Sequence, residues 1–326
     1  MPIAELARIG RRSFLKSAGA FATASLSIPL QSRLLAQVPQ NVSQSMSSGF
    51  ANAPIVTTRI SGKMFVISGP GGSIAVLTGD DGSLLVDTGV PEAANRTRGT
   101  LDAMGSLPVQ MVVNSHWHWD HSGGNAELKT LGATIVAHQQ TRNRLLSPQY
   151  LAMIDAKVPA SPAAGLPSIT FANDMDLFFA GEHIHLTYIG PSHSDSDICI
   201  HFAESNVLHA GDCWINGSFP LIDYSNRGSA EGYVSAVGKM LALADSKTVI
   251  IPGHSSHKRP LVGDRAALTE YHDMMGTICE RIRKLKSEGN PIEAAVANRP
   301  TADFDGKWGG GITSGKRFTE LVYLSL

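Results

Sequence analysis

The chain has 326 residues, 43% of them hydrophobic and 32 of them glycine, enough for one large domain or two small ones with a sizeable core. A formal net charge of −1 leaves no basic surface of the kind that nucleic-acid binding requires, so no nucleic-acid partner is expected. Three cysteines cannot all pair and match no zinc-finger spacing, which excludes a disulfide framework.

The N-terminus has the composition of an export signal. Residues 10–16 resemble a twin-arginine motif, with two consecutive arginines followed by Phe-Leu-Lys. The apolar residues 18–30 are too few to anchor the chain in a bilayer, and Ala36 is a small residue suited to cleavage. We expect residues 1–36 to be a signal peptide, residues 37–52 a linker, and the mature protein periplasmic without a membrane anchor. The alternative is the basic start of an amphipathic helix.

Three short apolar runs follow and predict a β-meander. Turns rich in glycine separate them, the first of which also contains a proline. The runs are residues 63–67, 73–77 and 83–87. Asp87 ends the third run, where a carboxylate commonly caps a turn or a helix. Residues 91–104 then predict a helix with proline in its first turn.

A cluster of potential metal ligands comes next. Residues 109–113 are apolar and β-branched and predict a buried strand. The loop after it carries His116, His118, Asp120 and His121 within six positions. Imidazole and carboxylate groups favour zinc and its neighbours, and two histidines two positions apart can bind one ion from the same side of an extended segment. Asp120 and His121 could then hold a second ion. The alternative is a polar loop whose histidines cap the strand.

The rest of the chain alternates predicted strands and helices, as α/β folds do. A helix start at Asn125, a strand at residues 133–137 and a helix at 139–146 precede residues 147–168. That segment is rich in Pro, Ala and Ser and shows little helix or strand pattern. Long loops of this kind in compact domains often serve as lids or binding surfaces. The predicted strands of a second sheet are residues 177–179, 183–189, 197–202 and 207–210. The predicted C-terminal helices are residues 229–244, 264–287 and 316–326.

Three further potential ligands lie far along the chain, each beside a predicted strand. His193 lies in the loop before one strand, Asp212 directly follows another, and His254 ends a third. A single His or Asp at a strand end is common, so each of these residues alone is a weak signal of a metal site. Because side chains alternate between the faces of a strand, Cys213 is expected to face away from Asp212 as a small buried thiol.

The pattern His-x-His-x-Asp-His after an apolar strand, followed in order by the three distant residues, resembles the signature of the metallo-β-lactamase superfamily. The resemblance covers roughly residues 60–260. It implies an α/β fold, a single αββα sandwich of two mixed β-sheets with helices on the outer faces. We expect residues 53–326 to form this hydrolase domain, ending in a helical tail.

The resemblance also implies a site for two Zn²⁺ ions per chain. It assigns one ion to His116, His118 and His193 and the other to Asp120, His121 and His254, with Asp212 bridging the two. Asp87 corresponds to the superfamily residue that buttresses the metal loop. Asp120 is expected in addition to act in catalysis, by orienting the hydroxide and carrying a proton to the leaving group.

The implied function is hydrolysis of an acyl bond in a small molecule, a β-lactam amide, a lactone or a thioester, by a metal-bound hydroxide. Asp212 is a departure from the best-known zinc β-lactamases, which have a cysteine or no bridging ligand there, and resembles hydrolases of the hydroxyacylglutathione hydrolase type. Two alternatives are a mononuclear iron persulfide dioxygenase on the same fold and a non-catalytic periplasmic zinc-binding protein. The complete second ligand set favours hydrolysis over the dioxygenase, and the full set of seven ligands with a position for water argues against the non-catalytic protein.

Other histidines and two tryptophans surround this pattern. His183 and His185 share one strand face without an evident third ligand, so a satisfied or solvent-facing role is expected. His257 is as compatible with lining the site as with lying outside it. Of Trp117 and Trp119, one is expected to pack beneath the metal loop and the other to border the pocket.

Three loops are expected to select the substrate. They are residues 69–73, 147–168 and 214–228, which flank the predicted ligands and carry no regular strand or helix pattern.

Overall fold

The computed structural model describes residues 49–256 and 259–326. The predicted signal peptide, most of the predicted linker and His257 lie outside the described residues, so the statements about them stay predictions.

The first sheet has seven strands, including the meander that the sequence predicts. They are β1 Val56–Ser61, β2 Met64–Ser68, β3 Ile74–Gly79, β4 Gly82–Val86, β5 Val109–Asn114, β6 Thr134–His138 and β9 Ile169–Phe171. Strands β1 to β4 pair antiparallel, whereas β4, β5, β6 and β9 pair parallel, so the sheet is mixed. The sequence analysis missed β1, because all its side chains are exposed or half-buried and leave no buried-strand pattern.

The second sheet has five strands, four of which the sequence predicts as a group. They are β10 Asp174–Phe179, β11 Glu182–Tyr188, β12 Ile198–Phe202, β13 Val207–His209 and β15 Val249–Ile251. Strands β10 to β13 form an antiparallel meander, and β15 adds to β13 in parallel. This sheet is therefore also mixed.

Two small ribbons complete the strands of the described chain. Strand β7 Gln149–Leu151 pairs with β8 Ala156–Val158, and β14 Ile215–Asn216 pairs with β16 His254–Ser255. The expectation that residues 147–168 lack strands is therefore wrong. Strands of three residues are too short to show the alternation that sequence reasoning needs.

The helices of the described chain differ in length and in how they begin. They are α1 Ala94–Ala103, α2 Trp119–Ser122, α3 Asn125–Thr130, α4 Gln139–Leu145, α5 Ala230–Leu243, α6 Arg265–Ser287, α7 Ile292–Ala297, α8 Asp305–Trp308 and α9 Gly315–Ser325. The side chains of Ser229, Asp264 and Ser314 accept hydrogen bonds from first-turn amides of α5, α6 and α9. Within the described residues, helices long and apolar enough to cross a membrane are absent.

The sheets and helices stack in four layers. Alternate residues of the two sheets, such as Val113 and Ile200, pack against each other in one apolar cluster. On the outer face of the first sheet, Val112 packs in a cluster with Leu101 of α1 and Leu128 of α3. Residues of α5, α6 and α9 cover the outer face of the second sheet. The predicted αββα sandwich is confirmed.

Candidate metal centre

The seven predicted ligands come from four stretches that meet at one edge of the sandwich. The loop after β5 carries the His-x-His-x-Asp-His pattern and runs into α2. Strands β13 and β15 are parallel and end at that edge, followed by Asp212 and His254. Strand β12 is antiparallel to β13, so the loop before it, with His193, lies at the same edge.

The first group consists of three buried imidazoles. Nδ1 of His118 lies 3.0 Å from Nε2 of His116 and 2.8 Å from Nε2 of His193. All three rings are at most 2% exposed. Their facing nitrogens are close enough together to be ligands of one metal ion.

In each of these three histidines, the ring nitrogen that does not face the other two rings has a hydrogen-bond partner. Nδ1 of His116 lies 3.0 Å from Oγ of Ser115, and His193 donates from Nδ1 to the Leu221 carbonyl at 2.9 Å. Nε2 of His118 lies 3.0 Å from Oδ2 of Asp223. An imidazole that donates its outer N–H presents an unprotonated nitrogen on its other side, which is the tautomer that binds a metal.

The second group consists of Asp120, His121 and His254. Oδ2 of Asp120 lies 3.2 Å from Nε2 of His254 and 3.7 Å from Nε2 of His121. The two imidazole Nε2 atoms are 3.3 Å apart. These three side chains also offer ligand atoms close enough together for one ion.

Asp212 lies between the two groups. Its Oδ1 is 3.0 Å from Nε2 of His121 and 3.5 Å from Nε2 of His254, and its Oδ2 is 3.5 Å from Nε2 of His193. One oxygen therefore faces each group. Gly253 permits this position, because a Cβ built there would lie 2.0 Å from Oδ1 of Asp212.

Cys213 corrects one local expectation. Residues Gly211–Cys213 form a turn of 3₁₀ helix rather than the end of a strand, so the alternation argument for Cys213 does not apply. The buried thiol instead contacts Oγ of Ser192 at 3.0 Å, and burial raises its pKa well above the ordinary value. Within the described chain, Cys213 is not among the residues whose ligand atoms group together.

The donor set fits a divalent metal. Burial, and next the neighbouring His121 and His118, hold the pKa of His116 well below its ordinary value, which favours the neutral ring. Burial alone would lower the pKa of His121, but the carboxylates of Asp212 and Asp120 outweigh it and raise that pKa. Unprotonated nitrogens about 3 Å apart repel one another, and a shared cation removes the repulsion. The first group thus contains a neutral imidazole suited to binding a metal, whereas the carboxylates of the second group favour positive charge, which a bound cation would supply.

Asp87 contacts His121 of the second group and Ser115, which precedes His116 of the first group. It is fully buried and accepts hydrogen bonds at Oδ1 from the Ser115 amide, at 2.7 Å, and at Oδ2 from the Ser115 hydroxyl, at 2.6 Å. Nδ1 of His121 also lies 2.8 Å from its Oδ2. Through these contacts Asp87 orients His121 directly and His116 through Ser115.

A cavity lies over the predicted metal ligands. Two of the three loops that were expected to select the substrate line this cavity, and the third does not. Apolar side chains line it from residues 147–168 and 214–228, as expected; they are Met153, Ile154, Ile215, Phe219 and Leu221. Residues 69–73 do not line it. They pack beneath the metal loop instead, and a Cβ at Gly72 would lie 2.2 Å from the His121 ring. Sequence reasoning missed Phe50 and Ile312 as lining residues, since neither lies near a ligand in sequence.

The surrounding histidines and tryptophans behave as predicted. His183 and His185 both contact Oδ1 of Asp176, at 2.7 and 2.8 Å, and are satisfied there. Trp117 is buried in the apolar core beside the loop. Trp119 is partly buried and lines the cavity.

Asp223 is a further residue of the site that the sequence analysis missed, and it contacts a predicted ligand. It lies 105 positions from His118, in a loop without periodicity, so no sequence signal joins the two. Its buried carboxylate also accepts hydrogen bonds from Ser225 and Asn226. These bonds fix the carboxylate against the His118 ring.

We expect Asp223→Ala to weaken metal binding at the first group by about 10–100-fold, the usual effect of losing a carboxylate that orients a histidine ligand. Competition with a chromophoric chelator measures the affinity. Ser225→Ala is the matched control, because it removes one donor to Asp223 but keeps the Asp223–His118 contact. Equal affinities of Asp223→Ala and the wild type would contradict the assigned role.

Comparisons with known proteins identify the family of this chain. The family model of the metallo-beta-lactamase superfamily matches residues 68–254. An acyl-coenzyme A thioesterase of Bos taurus is 26% identical over 174 residues, covering 49% of this chain and 60% of that protein. A hydroxyacylglutathione hydrolase of Polaromonas sp. is 26% identical over 149 residues, covering 45% and 48%.

The likeness extends to solved structures. A metallo-beta-lactamase from Pontibacter korlensis superposes with a TM-score of 0.57 at 18% identity, covering 68% of this chain and 99% of that one. This structural likeness shows the fold alone. The two sequence relatives are matched over only about half to three-fifths of their lengths. Because the family model matches more than half of the residues, this chain belongs to the metallo-beta-lactamase superfamily.

Proposed function

We propose that the protein is a dinuclear zinc hydrolase of acyl thioesters. The observation that carries the proposal is the pair of ligand groups with Asp212 between them, one carboxylate oxygen facing each group. Nitrogen and oxygen donors without a thiolate suit zinc in a hydrolytic site. When bound, such ions lower the pKa of a water molecule and polarise an acyl carbonyl.

Residues around the ligands orient the imidazole rings, and Asp120 can carry a proton. Asp87 and Asp223 fix two of the imidazole rings, so the ligands need little rearrangement to bind metal. The side chain of Asp120 is 10% exposed and lines the cavity, within 3.2 Å of Nε2 of His254. A carboxylate there can hold a proton and pass it to a leaving group.

Two observations favour a thioester among the acyl substrates. The cavity walls are mainly apolar, which suits an acyl group. Two of the similar proteins are named as enzymes acting on thioesters, an acyl-coenzyme A thioesterase and a hydroxyacylglutathione hydrolase. A carboxylate at Asp212 agrees with the second of these types, as the sequence pattern implies.

The test is a hydrolysis screen of zinc-loaded protein with thioesters, lactones and β-lactams, together with metal analysis. We expect two zinc ions per chain and a larger kcat/KM for thioesters than for the other two classes. His193→Ala should lose nearly all turnover, whereas the exposed control His183→Ala should keep it. A single ion at saturation, or a preference for β-lactams, would contradict the proposal.

The same measurements separate the two alternatives. A persulfide dioxygenase needs one iron ion held by two histidines and a carboxylate, and it consumes oxygen. The second group of Asp120, His121 and His254 favours two ions instead. Turnover of any thioester would exclude a purely zinc-storing role.

A further inference from the structure

Two buried tyrosines carry hydroxyl groups into the apolar cluster on the outer face of the second sheet. Tyr233 of α5 and Tyr271 of α6 are both fully buried, in a cluster with apolar side chains such as Val237 and Met275. Burying a hydroxyl costs free energy unless it is hydrogen-bonded, and a phenylalanine fills nearly the same space without that cost. The two hydroxyl groups are therefore expected to have a role beyond filling the core.

The two hydroxyl groups form a hydrogen-bonded chain that ends at a predicted metal ligand. Tyr233 donates its hydroxyl hydrogen to the backbone carbonyl of Asp212, and its oxygen lies 3.2 Å from the hydroxyl oxygen of Tyr271. Burial raises the pKa of both phenols above the ordinary value, so both keep their protons. Because Tyr233 gives its single hydroxyl proton to the carbonyl, Tyr271 is the donor between the two tyrosines.

The carbonyl of Asp212 belongs to the 3₁₀ turn that carries the carboxylate between the two ligand groups. The Trp214 amide closes this turn by donating to the Gly211 carbonyl at 3.3 Å. The Gly253 amide donates to the carbonyls of Gly211 and Trp214, at 2.8 and 3.1 Å. Neither amide bonds the Asp212 carbonyl, which the Tyr233 hydroxyl holds instead. The side chain of a helix on the outer face of the sheet thus fixes the backbone of a predicted ligand.

We propose that Tyr233 and Tyr271 are positioning residues of the metal centre, which hold the turn so that the Asp212 carboxylate reaches both ligand groups. Without the Tyr233 hydroxyl, the Asp212 carbonyl is buried without this partner, and the turn shifts to find another. Such a shift moves the carboxylate, whose oxygens lie within 3.5 Å of nitrogens of both groups. Tyr271 lies beyond residues 68–254, which match the family model, so this support comes partly from outside the matched region. The inference rests on the proposed dinuclear function and adds residues that position its central ligand.

The test deletes one hydroxyl at a time and measures zinc affinity without substrate, by competition with a chromophoric chelator. Tyr233→Phe keeps the ring and removes the donor to Asp212. Tyr271→Phe keeps that donor and removes the hydroxyl that supports it. Tyr323→Phe is the matched control, because the Tyr323 hydroxyl also donates to a backbone carbonyl, that of Asn290 at 2.8 Å, but lies outside the metal centre.

We expect Tyr233→Phe to weaken zinc binding about tenfold, the lower end of the usual effect of losing a partner that orients a metal ligand. Tyr271→Phe should weaken zinc binding less, since the bond to Asp212 remains. Tyr323→Phe should leave the affinity unchanged, because a general loss of stability does not alter the zinc affinity of the folded protein. Zinc binding by Tyr233→Phe as tight as that of the wild type, or weakened equally by Tyr323→Phe, would show that the hydroxyls only stabilise the fold and would refute the proposal.

The affinities decide the role of the tyrosines even if one variant does not fold or the proposed activity is absent. If Tyr233→Phe does not fold, weaker zinc binding by Tyr271→Phe than by the wild type supports the proposal, and equal binding refutes it. If the zinc-loaded wild type hydrolyses no thioester, the proposed function fails, but the zinc affinities of the variants still apply. If the wild type binds a single ion, the comparison concerns that ion, since Asp212 faces both ligand groups.

Discussion

Asp212→Ala should remove one of the two proposed metal ions and lower turnover about a thousandfold. Loss of a metal's charge stabilisation costs several kcal/mol in the barrier, and each 1.36 kcal/mol is a factor of ten. Because the Asp212 oxygens face both ligand groups, neither group alone can replace it. Metal content by elemental analysis and kcat/KM for a thioester measure the two effects.

Cys213→Ser is the matched control for this prediction. The thiol is adjacent in sequence, fully buried and in contact with Ser192, yet it lies outside the ligand groups of the described chain. The variant should keep both ions and most of the turnover, with a modest loss of stability. Cobalt-loaded protein gives a second measurement, since a cysteine ligand produces an intense near-ultraviolet charge-transfer band. Such a band in the wild type, absent in Cys213→Ser, would overturn the assignment to Asp212.

Asp87→Ala should lower the free energy of unfolding by about 3–5 kcal/mol, the usual cost of removing one partner from a buried ion pair. The deletion leaves His121 and the Ser115 amide without their buried acceptor. Total stabilities of domains are about 5–15 kcal/mol, so much of the protein's stability would be lost. Urea unfolding of chelator-treated protein measures the free energy of unfolding without a contribution from bound metal.

Asp176→Ala is the control for the Asp87 prediction. Asp176 also contacts two imidazoles, those of His183 and His185, but its side chain is 50% exposed. Water replaces the lost contacts there, so the stability change should be small. If the two variants lose similar stability, burial is not the source of the Asp87 effect.

Local regularities in the sequence predict much of the fold. The apolar run of β5, the alternating pattern of β11 and the capped, periodic helices α5 and α6 carry their signals within a few residues. Strands β1, β7 and β8 carry none, being either exposed or three residues long. The turn at Gly211–Cys213 likewise has no local signal, because its shape depends on close packing with Gly253.

The sequence by itself determined which side chains are candidates for the metal centre and in what order they occur, because four of them lie within six residues and the others beside predicted strands. Only the tertiary structure decided their grouping. The position of Asp212 between the two ligand groups and the Asp223–His118 contact across 105 positions both depend on distances between separate segments. Such distances are fixed by the packing of the two sheets, which no local pattern encodes.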